Sequence, residues 1–76
     1  MASTIMVAED DTSIQQFLHI LLTREGFNVI VVGKGTEVIT RWHNCKPDLL
    51  LLDIMMPGMD GFEVCRTIRK ESNLPI

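Results

Sequence analysis

The chain has little of what builds covalent frameworks, membrane spans or nucleic-acid surfaces. Its 76 residues hold two cysteines, Cys45 and Cys65, which form no C-x-x-C pair. That argues against a disulfide scaffold or a thiolate metal site and leaves two reduced thiols on apolar helix faces. His19 and His43 have no Cys, His or acid at ligand spacing, so surface histidines are expected. No apolar run approaches the roughly 20 residues that a membrane span needs. The apolar start, Ile5 to Ala8, breaks at once into Glu9-Asp10-Asp11, unlike a signal peptide, so a cytoplasmic protein with no membrane partner is expected. Positive charge is also scarce. Ten acids stand against seven bases, for a net charge of −3. With no basic patch, no direct nucleic-acid binding is expected. Internal repeats and low-complexity segments are lacking too.

What is present is the composition of a small globular domain, 46% hydrophobic and 22% charged. One domain over residues 1–76 is expected, marginal in stability because a chain this short buries only about 60% of its unfolded surface. Thr4 to Ala8 reads as a first strand. Asp11 caps a helix whose apolar residues Ile14, Phe17, Leu18, Leu21 and Leu22 repeat at helical spacing, and Gly26 ends it. Phe27 to Val32 is β-branched and reads as a second strand. Gly33-Lys34-Gly35 turns the chain, and Thr36 is expected to cap a second helix facing inward through Val38, Ile39, Trp42 and Cys45. Pro47 stops that helix and Leu49 to Leu52 form a third strand. A third helix starts at Asp60, which has capping-box spacing to Glu63. It runs to about Lys70 with Phe62, Cys65 and Ile68 inward, and Leu74-Pro75-Ile76 begins another apolar stretch.

The order β-α-β-α-β-α, with apolar strands that do not alternate, predicts a parallel α/β sheet covered on both faces. Right-handed crossovers make it open and doubly wound. In such sheets ligands bind beyond the carboxyl ends of the strands, where strand order reverses. Glu9 and Asp10 follow the first strand and Asp53 the third. Without these three acids the charge count balances at seven against seven. A carboxylate directly after four leucines needs a partner that the side chains of Ile54, Met55 and Met56 cannot supply. If the first and third strands are neighbours, the three acids converge and repel unless a counter-ion joins them. Oxygen-only ligands suit Mg²⁺, with Mn²⁺ as a substitute.

The stretches "IMVAEDD" and "PDLLLLDIMMPGMDGFEVCRTIR" resemble the receiver domain of two-component response regulators, over Thr4 to Ile76. The resemblance implies a flavodoxin-like fold with strand order 2-1-3 for these strands. It implies that Asp53 is the phosphoacceptor, that Asp10 binds Mg²⁺ directly and that Glu9 helps hold it. Met55 would offer its backbone carbonyl, Pro57 and Gly58 would shape the following loop, and Gly61 would open the third helix. The implied donor is a phosphohistidine on a sensor histidine kinase or a phosphotransfer protein, and the implied role is signalling, not enzymatic turnover. The Ser or Thr after a fourth strand and the Lys after a fifth have no counterpart in these residues. The expectation is therefore the amino-terminal part of a receiver, deficient in switching.

Two other classes compete. A haloacid-dehalogenase-like phosphatase needs a second Asp two residues after the nucleophile, and here that residue is Met55. A phosphorylation-independent interaction module would use an exposed third-strand edge or the uncovered first helix, making a homodimer or higher assembly. Gly33-Lys34-Gly35-Thr36 lacks the earlier glycine of a P-loop, with Asn28 in its place, and reads as a turn.

Overall fold

A computed structural model describes residues 2–56 and 58–76; the expectation for Pro57 lies outside the described residues. The elements are β1 (Thr4–Ala8), α1 (Thr12–Arg24), β2 (Asn28–Val32), α2 (Gly35–Cys45), β3 (Leu49–Leu52) and α3 (Gly61–Arg69). The strands form one parallel sheet in the order β2-β1-β3. The condition for converging acids is met, since β1 lies in the middle with β3 at its side.

Side chains alternate across a strand, and this divides the sheet into two faces. Met6, Ala8, Val32 and Leu50 pack with Val38 and Trp42 of α2 and Val64 and Ile68 of α3 in one cluster. The opposite face carries Ile5 and Val7, both buried, and is met by α1, whose Leu18 and Leu22 are half-buried. No residue of α1 is fully buried. Its apolar stripe exists, but Ile14, Phe17 and Leu21 remain exposed, as does Ile20.

Local chemistry sets the helix ends. Asp11 Oδ1 accepts from the amides of Ser13 and Ile14 and so caps α1. Gly26, at φ 93°, ends it in the left-handed region where glycine has no steric penalty. Asp60 accepts from the Glu63 amide, capping α3. The expected cap at Thr36 is corrected. Helix α2 begins two residues earlier than that cap implies, at Gly35, and Lys34 is the cap residue without a side-chain bond. A Cβ on Gly35 would lie 2.2 Å from the Met59 carbonyl oxygen, so only glycine lets the start of α2 pass the loop before α3.

Two further expectations change. Phe62 is 59% exposed, and the inward residues of α3 are Gly61, Val64 and Ile68. That stripe starts on a residue without a side chain, so the helix approaches the sheet closely and turns Phe62 outward. The outer edge of β3 is also not bare, because the Leu50 amide donates to the Pro75 carbonyl at 2.9 Å. Among the described residues, no helix is long and apolar enough to cross a membrane.

Candidate functional site

Parallel register builds the site. Ala8 stands opposite Leu52 in the ladder, so the next residues, Glu9 and Asp53, emerge side by side from adjacent strands. Backbone bonds hold this edge together: the Asp53 amide donates to the Ala8 carbonyl at 2.9 Å, and the Glu9 amide to the Val32 carbonyl at 3.1 Å. Glu9, Asp10 and Asp53 each place a carboxylate oxygen within 4.8 Å of the others. Glu9 and Asp53 are half-buried and Asp10 is exposed.

Three acids this close repel one another, and the charge is not balanced locally. The side-chain ion pairs among the described residues are Arg41 with Glu37 and His43 with Glu71, neither of them at this edge. Partial burial pushes the Glu9 carboxyl above its ordinary range; the Asp11 amide, donating to it at 3.1 Å, pulls it back, and the nearby Asp53 adds repulsion. A divalent cation with oxygen preference fits this donor set, since it would neutralise the repulsion and accept all three carboxylates.

The loop after β3 is shaped around Asp53. The Met55 amide donates to Asp53 Oδ1 at 3.2 Å, while the Met55 side chain is 82% exposed. Met56 turns inward and is buried in the core, anchoring the loop. Gly58 has φ 83°, a conformation that a side chain would strain. Gly61 has a different reason to be glycine. Its amide donates to the Ile54 carbonyl at 2.8 Å, and a Cβ there would lie 2.7 Å from both the Asp53 carbonyl oxygen and Ile54 Cα. The backbone carrying the site aspartate therefore rests directly on the first residue of α3.

The response regulator receiver domain profile matches residues 5–76. The chain belongs to that family. It is 46% identical over 76 residues to the DNA-binding response regulator MtrA of Mycobacterium tuberculosis, covering all of this chain and 33% of that relative. The chain thus spans about a third of the length of such curated relatives. Among solved structures, the BeF3-activated N-terminal receiver domain of Klebsiella pneumoniae RstA superposes with a TM-score of 0.90 at 34% identity, over 93% of this chain and 61% of that one. The response regulator TrrA of Thermotoga maritima, in complex with Mg²⁺ and BeF, gives 0.88 at 34% identity, over 92% and 61%. A structure of histidine kinase ThkA with TrrA gives 0.88 at 33% identity, over 96% and 63%. The flavodoxin-like fold of a two-component response regulator receiver domain follows. The expectation of no nucleic-acid contact is not supported, because the MtrA relatives are named as DNA-binding regulators.

Glu9, Asp10 and Asp53 come together as the register requires. Asp11 caps α1 as expected and stands outside the cluster. Sequence reasoning missed Gln15, whose side-chain Nε2 donates to the Glu9 carbonyl oxygen. It also read Gly35 as a turn residue, without its close approach to Met59.

Proposed function

We propose that Asp53 is the phosphoacceptor of this receiver and that Glu9, Asp10, Asp53 and the Met55 backbone carbonyl hold Mg²⁺, with Mn²⁺ able to substitute. The observation that carries the reading is the meeting of three carboxylates within 4.8 Å at the carboxyl ends of two adjacent parallel strands. The Mg²⁺-containing complex of TrrA supports the choice of metal, and the ThkA complex supports a histidine kinase as donor. The cytoplasm is the proposed compartment for the exchange. These residues supply the first three strand–helix units of the domain and with them the acidic half of its site.

The chemistry asks little of the protein beyond placement. Bound Mg²⁺ would supply neutralisation of charge among the carboxylates and on the transferring oxygens. An Asp53 carboxylate oxygen forms a bond to phosphorus as the P–N bond of a phosphohistidine breaks. The leaving nitrogen keeps the electron pair of that bond and takes up a proton. The amide of Met55 orients the Asp53 carboxylate from one side. The resulting acyl phosphate adds about 1.5 to 2 negative charges at the strand end, enough to reorder neighbouring loops where a partner for it exists.

Incubation with a small phosphodonor and Mg²⁺, followed by intact mass measurement, tests the assignment. Addition of one phosphoryl group that is lost in Asp53→Asn is expected. A modification that survives Asp53→Asn contradicts it.

A second reading, self-association, is favoured by the exposed Phe17 and Ile20 on α1. Exposed apolar side chains three residues apart on a helix are neighbours. Larger apolar patches mark interaction surfaces, and a second copy is the cover this reading supplies. Sedimentation at several concentrations should show mass rising with concentration; a monomer at high micromolar concentration would remove this reading.

A further inference from the structure

Glu9 is held from three directions. Its amide donates to the Val32 carbonyl, its carboxylate accepts from the Asp11 amide, and its carbonyl accepts from Gln15 Nε2. The first bond continues the sheet and the second belongs to the turn into α1. The third is different in kind, because it reaches across six residues from a helix side chain. Gln15 sits one turn into α1, where its own amide donates to the Asp11 carbonyl at 2.9 Å. Side chains on a helix lean toward its amino terminus, so a long amide at this position points back at the strand end. Gln15 is half-buried while its neighbours Ile14 and Gln16 are exposed. A Cβ on Gly33, in the loop after β2, would lie 3.5 Å from Gln15 Nε2. The amide therefore sits between the loop that carries Glu9 and Asp10 and the loop that follows β2.

We propose that Gln15 is a positioning residue for the metal site, fixing the Glu9–Asp10 peptide so that both carboxylates face Asp53. The inference rests on the metal-binding reading given above and deepens it. Gln15 itself touches no carboxylate of the cluster; it acts through the carbonyl of Glu9. Partners that orient metal ligands in this way commonly contribute tenfold or more to affinity. Without the donor, Glu9 keeps its bonds to Val32 and Asp11 but its carbonyl is no longer fixed. The convergence of Asp10 with Asp53 is then loosened before any ligand is removed.

Free Mn²⁺ can be counted by electron paramagnetic resonance as the full chain is titrated, with metal-free thermal unfolding followed in parallel. Gln15→Met keeps the length and removes the donor; Gln15→Arg keeps a donor of sufficient reach. Weakening of Mn²⁺ binding by about tenfold in Gln15→Met, near-parental binding in Gln15→Arg, and little change in unfolding of either are expected. Equal affinity in all three chains overturns the proposal, and so does equal loss in both variants or failure of Gln15→Met to fold, which would make the role structural. Asp10→Asn separates the two levels. If it binds Mn²⁺ like the parent, the metal reading itself is wrong; if it loses binding while Gln15→Met does not, only the role of Gln15 falls.

Discussion

The two faces of the sheet are built for different work. On the α2–α3 face, Met6, Leu50, Val38, Val64 and Ile68 are fully excluded from solvent. On the other face α1 has no fully buried residue, and Phe17 is 63% exposed. Yet α1 is the element whose first turn governs the acids: Asp11 caps it, and Gln15 reaches back from it to Glu9. The α2–α3 face thus holds the tightly packed core and supports the Asp53 loop. Helix α1 holds the Glu9–Asp10 turn, and the two meet at the carboxyl edge of one three-stranded sheet.

The sharpest way to break this contrast is to truncate one large apolar side chain on each face. Ile68→Ala should cost about 2–5 kcal/mol in denaturant unfolding, the range for emptying a packed core site. Phe17→Ala should stay within about 0.5 kcal/mol, as for an exposed position. Similar losses from the two would show that α1 is packed as tightly as α3.

Gly61 tests whether the two faces communicate at the edge. A methyl group there meets the backbone of Asp53 and Ile54 at 2.7 Å, so α3 or the loop must shift. Gly61→Ala should cost about 1–3 kcal/mol and weaken Mg²⁺ binding as well. Loss of stability with metal affinity intact would mean that the loop relaxes without moving Asp53.

The neighbours Asp10 and Asp11 should separate cleanly. Asp11→Ala removes a helix cap and should cost about 1 kcal/mol, with modest effect on metal affinity. Asp10→Asn should abolish Mg²⁺ binding and leave unfolding nearly unchanged. Equal effects on metal affinity would overturn the division of labour between these adjacent acids.

The smallest expected effect is a pH dependence. Partial burial and the nearby Asp53 hold Glu9 above its ordinary value of 4.5 in the folded chain. The folded state therefore keeps a proton that the unfolded chain has already released. That contribution favours folding below the unfolded value and is lost as pH rises from there through the raised one. Metal-free unfolding followed upward from pH 4.5 should show this decline, and Mg²⁺ should flatten it by stabilising the charged form. A rise over the same window without metal would contradict the repulsion described here.

Most of the fold was legible because its signals are local. Apolar runs, the Asp11 and Asp60 caps and Gly26 each act within a few residues, and they mark the elements correctly. Strand order was not legible from pattern; it came from the resemblance, and with it the meeting of Glu9 with Asp53. The misplaced face of α3 has a simple cause. Phe62, Cys65 and Ile68 make an apolar stripe on paper, but Gly61, Val64 and Ile68 allow closer approach to the sheet, and a glycine does not register as apolar. Gln15 was missed for the converse reason. A polar residue at an inward helix position carries no signal unless the carbonyl it serves is known.

The central claim is that the carboxyl edge of β1 and β3 is a Mg²⁺-dependent phosphoacceptor site. Beryllofluoride, a mimic of the phosphoryl group, reports on it directly through its ¹⁹F resonance. Bound fluoride signals should appear when Mg²⁺ is present, vanish when it is chelated, and be absent from Asp53→Asn. Bound signals without Mg²⁺, or persisting in Asp53→Asn, would contradict the account.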